Sequence, residues 1–204
     1  IVELAIASGA KTINIPDTVG YTIPSEFTKI ITTLKNKVPN IDKAILSVHC
    51  HNDFGMATAN ALSALESGAQ CVDVAVNGLG ERCGLPPLAE VVTALTNIYK
   101  INGNWDLGLI PELTDMVASF SKLDSNANQP IIGKNAFTHK AGLHVKAMVK
   151  EPKSYEAISP ESIHRKRHFV IDKFTGAAAL INKLEGIGIK VSSQKLDPIL
   201  KEIK

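Results

Sequence analysis

The stretch "AILSVHCHNDFGMATANALSALESGA", residues 44–69, joins a short β-type run to an Ala-rich helix candidate. Similar units stand on either side of it. Residues 11–18 and 71–78 are two further β-type runs, and helix candidates follow them at 24–38 and 88–99. Strands that alternate with helices over about thirty residues indicate βαβ units and a parallel sheet. The sequence therefore predicts an α/β fold.

Each of the three β-type runs ends in polar residues: "DT" at 17 and 18, "HCHND" at 49–53 and "NGLGER" at 77–82. Ligands of parallel α/β proteins bind beyond the carboxyl ends of the strands. We therefore expect the three strand ends to face one site. Polar residues that merely begin a loop are the alternative for a single strand, but the recurrence on consecutive strands argues against it.

His49 and His51 stand two residues apart on a predicted strand, so their side chains project to the same face, whereas Cys50 points the other way. Neutral imidazole is a common ligand of divalent metals, and two at one strand end supply neighbouring coordination positions. Asn77, at the end of the next strand, offers a carbonyl oxygen. The pattern predicts a metal site at His49, His51 and Asn77. A structural role for the two histidines is the alternative.

The segment "NGLGERCG", residues 77–84, has two interpretations. Closely spaced glycines, here Gly78 and Gly80, expose backbone N–H groups as phosphate-binding loops do. Alternatively, the glycines allow a tight strand-to-helix turn while Glu81 and Arg82 form an ion pair. The segment is neither a Walker loop nor GxGxxG, so its residues leave both interpretations open.

His144 and Tyr155 are the other candidates for proton chemistry. The apolar residues beside His144, which are Leu143 and Val145, fit a packed position equally well. A catalytic and a structural role therefore both remain open for this pair at the level of local sequence.

The composition excludes several classes of protein. The chain has 22 Lys and Arg against 20 Asp and Glu, so no strong field selects nucleic acid. No apolar run approaches the roughly 20 residues that span a bilayer, and no signal-like segment opens the chain. The cysteines Cys50, Cys71 and Cys83 lack a metal-ligand spacing and indicate reduced thiols. We expect a cytoplasmic protein without a nucleic-acid or membrane partner.

The character of the sequence changes after residue 100. We assign residues 1–100 to βα units, 101–134 to a connecting segment and helix, and 135–204 to a helical subdomain whose tail forms two helices. The opening residues, "IVELAIASGA", are typical of the end of a helix. They lead us to expect a chain cut from a longer one.

Three motifs, "PDTVGYTIPSEF" (16–27), "SVHCHNDFGMATANALSALESGA" (47–69) and "VNGLGERCG" (76–84), together resemble the acetyl-CoA-dependent α-acyl-condensing enzymes of the DRE-TIM metallolyases. These are the 2-isopropylmalate, homocitrate and citramalate synthases. The resemblance covers nearly the whole chain. It implies a (β/α)₈ TIM barrel with a divalent metal (Zn, Mn, Mg or Co) at the C-terminal face and a small helical subdomain after it. This chain would hold about the last three βα units.

The resemblance also implies roles for single residues. His49 and His51 match the family's two histidine ligands of the metal, and Asn77 falls where some members have a further ligand or near neighbour. Thr18 matches a threonine that contacts the carboxylate of the 2-oxo acid. We expect the residues of the "NGLGER" loop either to bind acetyl-CoA or only to shape the loop: Gly78, Gly80, Glu81 and Arg82.

The segment "THKAGLHVKAMVKEPKSYE" (138–156) resembles the subdomain segment that joins the acid–base chemistry. Its second histidine and following tyrosine correspond to His144 and Tyr155. The family usually forms homodimers in which this subdomain lies over the partner's barrel. The implied reaction is a Claisen-type condensation of acetyl-CoA, the co-substrate, with a 2-oxo acid.

The substrate is harder to assign. "HKAG" and the stretch from "FVIDKFTG" onward favour homocitrate synthases of lysine or related biosynthesis, which use 2-oxoglutarate. "NIPDTVGYTIP", "SPESI" and Asn77 favour 2-isopropylmalate synthases of leucine biosynthesis, which use 2-oxoisovalerate, and Ser47 weakens the homocitrate assignment. We expect homocitrate synthase, with 2-isopropylmalate or citramalate synthase as the alternative.

One departure from the family concerns its opening strand. Nothing here matches the Asp-Arg-Glu motif that supplies an acidic metal ligand and an arginine. We therefore expect the 204 residues alone to bind metal poorly and to show no turnover. Two other classes remain open. One is a lyase that cleaves hydroxymethylglutaryl-CoA: Cys83 falls near the loop cysteine of such lyases, although "GER" favours the synthases. The other is an inactive or regulatory protein that keeps the fold.

Overall fold

Three parallel strands organise the first part of the computed structural model, which describes residues 1–140, 142–172, 175–186 and 188–203. They lie in the order β1-β2-β3. Their bounds are Thr12–Asp17 for β1, Ile45–Cys50 for β2 and Cys71–Val72 for β3. The register sets Asp17 opposite Cys50 and Val48 opposite Val72, so the carboxyl ends share one edge. The predicted α/β fold with a parallel sheet is confirmed.

Helices accompany these strands. Their bounds are Val2–Ala7 for α1, Pro24–Lys37 for α2, Ala57–Glu66 for α3 and Leu88–Asn97 for α4. The apolar core residues of α3 are alanines spaced at helical intervals: Ala57, Ala61 and Ala64, all fully buried. Short side chains on this face let α3 pack closely, and the larger Phe27 and Ile31 of α2 complete the core.

β3 is shorter than the β-type run predicted at 71–78. The ladder ends at Val72, and Ala75 instead makes an isolated bridge to Pro87. The chain then enters a 3-10 turn, Val76–Gly78, in which Asn77 has a φ of 60°. A left-handed residue cannot continue a strand, and Asn tolerates that conformation better than most residues.

The chain divides into two compact units, Ile1–Trp105 with Met116–Leu123 and Asp106–Asp115 with Asp124–Lys204. We call them unit 1 and unit 2. The three-stranded sheet and α1 to α4 belong to unit 1. A further helix, α5, spans Ile110–Ser121.

In the described part of unit 2, three α-helices follow α5, together with a small parallel sheet that the sequence did not suggest. The helices are α6 (Gly142–Lys150), α7 (Ala177–Gly186) and α8 (Ser193–Ile203). The strands are β4 (Thr138–His139) and β5 (His168–Phe169). α7 and α8 lie where the tail is predicted to form two helices. Among the described residues, no helix has the length and apolar character needed to cross a bilayer.

Candidate functional site

His49 and His51 lie side by side at the carboxyl end of β2. Their ring centroids are 5.1 Å apart, and the rings are tilted by 59°. His49 is half-buried, whereas His51 is buried with 8% of its surface exposed. Cys50, between them, is fully buried, and burial, with Asp17 and Asp73 adding to it, raises the pKa of its thiol to about 12. The strand therefore gathers the two imidazoles and leaves the thiol as a packing group.

Asp73 is a residue of this site that the sequence reasoning missed. Its Oδ2 atom accepts hydrogen bonds from Nδ1 of His49 at 2.9 Å and from Nδ2 of Asn14 at 2.8 Å. Histidines that bind metals usually donate their second N–H to a carboxylate in this way. The bond leaves Nε2 of His49 for a ligand. Asp73 directly follows β3, whereas the run predicted at 71–78 placed it inside a strand, so the strand-end argument did not single it out.

The histidine pair fits part of a metal site. Nδ1 of His51 is buried and has no hydrogen-bond partner among the described residues, and such an atom destabilises the fold by about 1–3 kcal/mol unless something binds it. No third His, Cys, Asp or Glu in the described ranges completes a metal-binding group with the two. Asn77 lies in the turn after β3, and its role as a ligand stays a prediction.

Arg82 connects the loops that follow all three strands. Its Nε and Nη2 atoms donate to the two carboxylate oxygens of Asp53 at 2.8 and 3.1 Å, and Nη2 also donates to the carbonyl of Thr18 at 2.7 Å. The hydrogen bond from Arg82 lowers the pKa of Asp53. The Glu81 ion pair of the turn interpretation is present but longer, at 3.7 Å. These bonds favour a loop role for Arg82 over direct contact with acetyl-CoA.

The glycines of the same loop are required by its tight path. Gly78 and Gly84 have φ values of +70° and +83°, and a Cβ on Gly84 would lie 1.8 Å from the carbonyl oxygen of Gly78. A Cβ on Gly80 would lie 3.1 Å from the Cα of Gly84. This close approach of backbone to backbone supports the turn interpretation of the glycines.

Thr18, the predicted contact of the 2-oxo acid, follows β1 and is exposed. The preceding residue, Asp17, is buried, and its carboxylate accepts hydrogen bonds from the backbone N–H groups of Tyr21 at 3.2 Å and Thr22 at 3.1 Å. Asp17 therefore shapes the loop that presents the exposed Thr18.

His144 and Tyr155 are also brought together, within unit 2. Their rings stack with centroids 4.2 Å apart and an interplanar angle of 26°. His144 lies on α6 and is exposed, while the next residue, Val145, is fully buried. Val145 therefore fills the packed position that local sequence also allowed for His144. The histidine faces solvent beside a phenol that is 44% exposed.

Comparison with known proteins gives a consistent result. The HMGL-like family matches residues 1–117, and the family described as "Homocitrate synthase post-HMGL domain-like" matches residues 131–204. A 2-isopropylmalate synthase of Pasteurella multocida is 43% identical over 98% of this chain and 39% of its own length. One of Vibrio vulnificus is 41% identical over 99% of this chain and 40% of its own length. The chain thus spans about two fifths of the length of these curated relatives.

Solved structures of the same fold include two HMG-CoA lyases. The lyase of Acinetobacter baumannii, in complex with coenzyme A and 3-methylmalate, has a TM-score of 0.53 and 26% identity over 61% of this chain and 41% of that one. The lyase of Bacillus subtilis has a TM-score of 0.54 and 20% identity over 62% of this chain and 43% of that one. They support a partial barrel for the first part of the chain. The family match over residues 1–117 shows that the chain belongs to the HMGL-like family, and the second match and the synthase relatives show that, within it, the chain belongs to the α-acyl-condensing enzymes of the DRE-TIM metallolyases.

Proposed function

We propose that the whole protein condenses acetyl-CoA with 2-oxoisovalerate, as a 2-isopropylmalate synthase. The observation that carries this proposal is the histidine pair at the end of β2, in which Asp73 holds His49 beside the unsatisfied Nδ1 of His51. Two adjacent imidazoles at the C-terminal edge of a parallel sheet suit chemistry on a substrate that chelates a divalent metal.

The substrate assignment changes from the one expected from the sequence. Homocitrate synthase was the expectation, and the relatives of Pasteurella multocida and Vibrio vulnificus, which align with almost the whole chain, are 2-isopropylmalate synthases. They favour the alternative, with 2-oxoisovalerate in place of 2-oxoglutarate. The likeness of residues 131–204 to a homocitrate synthase domain concerns the helical part and does not by itself select the substrate.

In this proposal the residues of unit 1 bind the 2-oxo acid. His49 and His51 would hold the divalent metal, with Asn77 as a neighbour or further ligand, and a bound metal supplies Lewis-acid polarisation of the keto group. Asp73 orients His49. The hydroxyl of Thr18, an exposed residue, binds the substrate carboxylate.

The residues of unit 2 move protons. The imidazole of His144 serves in the transfer of the methyl proton of acetyl-CoA, and the phenol of Tyr155 donates a hydrogen bond. Attack of the resulting carbanion on the keto carbon forms the new C–C bond, and hydrolysis of the thioester releases coenzyme A. Resemblance to the family adds a homodimer, with each helical subdomain over the partner's barrel, and a cytoplasmic location, with which three free thiols agree.

The test is thiol release from acetyl-CoA by the whole protein, with 2-oxoisovalerate, 2-oxoglutarate and pyruvate supplied in turn. We expect the highest kcat/KM with 2-oxoisovalerate. A higher value with 2-oxoglutarate or with pyruvate would reassign the protein to homocitrate or citramalate synthesis. Release with none of the three acids would contradict the synthase assignment, and cleavage of hydroxymethylglutaryl-CoA would replace it with a lyase.

A further inference from the structure

The carboxylate of Glu156 is the buried centre of a charged network in unit 2. Its side chain is 4% exposed, and Arg167 donates to both of its oxygens, from Nε at 2.8 Å and from Nη2 at 2.6 Å. Nη1 of Arg167 donates to Glu161 at 2.9 Å, and that carboxylate is 59% exposed. A guanidinium that grips a buried carboxylate with two parallel bonds fixes its orientation as well as its charge.

His139 lies against the same carboxylate. Its Nε2 atom is 3.6 Å from Oε1 of Glu156, beyond hydrogen-bond length, and makes no hydrogen bond within the described part of the chain. Burial lowers the pKa of His139 although Glu156 acts in the opposite direction. The imidazole of His139 is therefore uncharged and only packs against the network, whereas Arg167 holds Glu156 in place.

The network joins the segment that carries Tyr155 to the small sheet of unit 2. Glu156 directly follows Tyr155, His139 belongs to β4, and Arg167 directly precedes β5. Packing alone does not hold the Tyr155 ring, because the residue is 44% exposed and borders a cavity of about 260 Å³. Among the described residues, the backbone of Tyr155 makes one hydrogen bond, from its N–H to the carbonyl of Pro152 at 3.2 Å. The anchored side chain of Glu156 holds it as well.

We propose that Glu156 is a positioning residue for the acid–base pair. Gripped by Arg167, it fixes the backbone beside Tyr155, so that the phenol stays stacked on His144 in the orientation that proton transfer needs. Misplacement of a reacting group by even a small distance slows a reaction strongly while leaving substrate affinity nearly unchanged. The inference rests on the proposed function, in which His144 and Tyr155 carry the proton transfer.

Substitution of each of the two carboxylates that bind Arg167 separates a positioning role from a general effect of charge. Glu156→Gln removes the buried carboxylate charge at nearly constant volume. Glu161→Gln removes the exposed carboxylate from the same guanidinium and is the matched control. In thiol release by the whole protein, we expect Glu156→Gln to lower kcat by about tenfold or more with both KM values within about twofold of wild type, whereas Glu161→Gln stays within about twofold in all three.

A second measurement follows the phenol itself and does not depend on activity. The whole protein is labelled with 3-fluorotyrosine, and the Tyr155 signal is identified in the fluorine NMR spectrum by its loss in Tyr155→Phe. Because the ring stacks on His144, its chemical shift should respond to the ring current of that histidine, as His144→Gln should verify. We expect this response to be lost in Glu156→Gln and retained in Glu161→Gln.

The outcomes are separable. A Tyr155 signal in Glu156→Gln that matches wild type overturns the positioning role, as does an unchanged kcat or an equal effect of Glu161→Gln. If the wild-type protein releases no thiol, the proposed function fails, and the fluorine signal still decides whether Glu156 places the ring. If Glu156→Gln does not fold, Arg167→Lys, which keeps the charge but loses the two-pronged bond, must show the same loss in kcat and in the signal.

Discussion

The carboxylate of Asp73 illustrates how single residues of this site depend on positions far away in the chain. The local sequence predicted that the side chains of the two histidines project to the same face, because both stand on one strand two residues apart. It gave no direct sign that residue 73 would hold His49, since this bond requires β2 and β3 to lie side by side in parallel. Likewise, one of the two interpretations of the loop paired Arg82 with its neighbour Glu81, and its closer partner is Asp53, 29 residues earlier. Contacts between different strand ends depend on the order of the strands in the sheet, and the spacing of residues within one stretch of sequence does not reveal that order.

Removal of the Asp73 carboxylate tests its link to the metal. Because this carboxylate orients His49, Asp73→Asn should weaken binding of a divalent metal by about 10- to 100-fold. The measurement is calorimetric titration of the whole protein with Mn²⁺ and Zn²⁺. Asp42→Asn, which changes an exposed aspartate in a 3-10 turn, is the control and should bind as wild type. Equal affinity of Asp73→Asn and wild type would show that His49 needs no such support.

The Asp53–Arg82 pair predicts a pH dependence of stability. The pKa of Asp53 is lowered from its ordinary 3.8 in the folded protein, mainly by the hydrogen bond from Arg82. Its stabilisation is therefore fully present above pH 3.8 and is lost as the pH falls through the lower folded-state pKa. We expect Asp53→Asn to lower the urea midpoint at neutral pH. At a pH below the folded-state pKa of Asp53, the midpoints of Asp53→Asn and wild type should be equal.

Glu81→Gln serves as the comparison for this pair. Glu81 lies 3.7 Å from Arg82 and is 84% exposed, so its removal should change the midpoint less than Asp53→Asn does at every pH. A difference between Asp53→Asn and wild type that stays constant down to strongly acid pH would mean that the ionised carboxylate is not what stabilises the loops.

At the scale of elements, the sequence predicted those whose side chains show a clear period. β1 and β2 lie inside the predicted β-type runs, and α2 and α3 lie inside the predicted helices. The short elements escaped prediction for a physical reason. β3 has two residues because the chain leaves the ladder toward Ala75 and the left-handed Asn77. β4 and β5 also have two residues each, too few for any alternation to show.

The loop after β3 gives a prediction at this scale. Gly84→Ala adds a Cβ at a φ of +83°, 1.8 Å from the carbonyl oxygen of Gly78, whereas Gly55→Ala adds one at a φ of +72° with nothing within 4 Å. The left-handed backbone alone should lower the free energy of unfolding by about 1–2 kcal/mol in both variants. The overlap should lower it by roughly 2 kcal/mol more in Gly84→Ala.

Urea unfolding of both variants measures that difference. Equal destabilisation of Gly84→Ala and Gly55→Ala would mean that the loop widens without loss, and the close approach of Gly78 and Gly84 would then not be a requirement of the fold.

For the whole molecule, the sequence motifs were sufficient to identify the family and its barrel, because each motif fixes a strand end of a known site. They did not fix the substrate. Local motifs carry no direct information on the shape of a substrate pocket, and the proposal of 2-oxoisovalerate rests on the relatives.

Two structural features determine what the isolated chain can do. Within the described residues, β1 and β3 each have a neighbour on one side only, and the histidine pair has no third acidic or sulfur ligand. The 204 residues alone should therefore bind a divalent metal weakly and release no thiol from acetyl-CoA with any 2-oxo acid. Robust condensation by the isolated chain, assayed beside the whole protein, would contradict this expectation.

In the proposed function, His49 and His51 hold the metal for condensation of acetyl-CoA with 2-oxoisovalerate. The most direct test is the rate of thiol release with that acid, measured for wild-type whole protein and for His51→Ala, before and after removal of divalent metals by a chelator. We predict release by the wild type that the chelator abolishes and added metal restores, and no release by a folded His51→Ala. Undiminished release by His51→Ala, or by wild type stripped of metal, would contradict the claim.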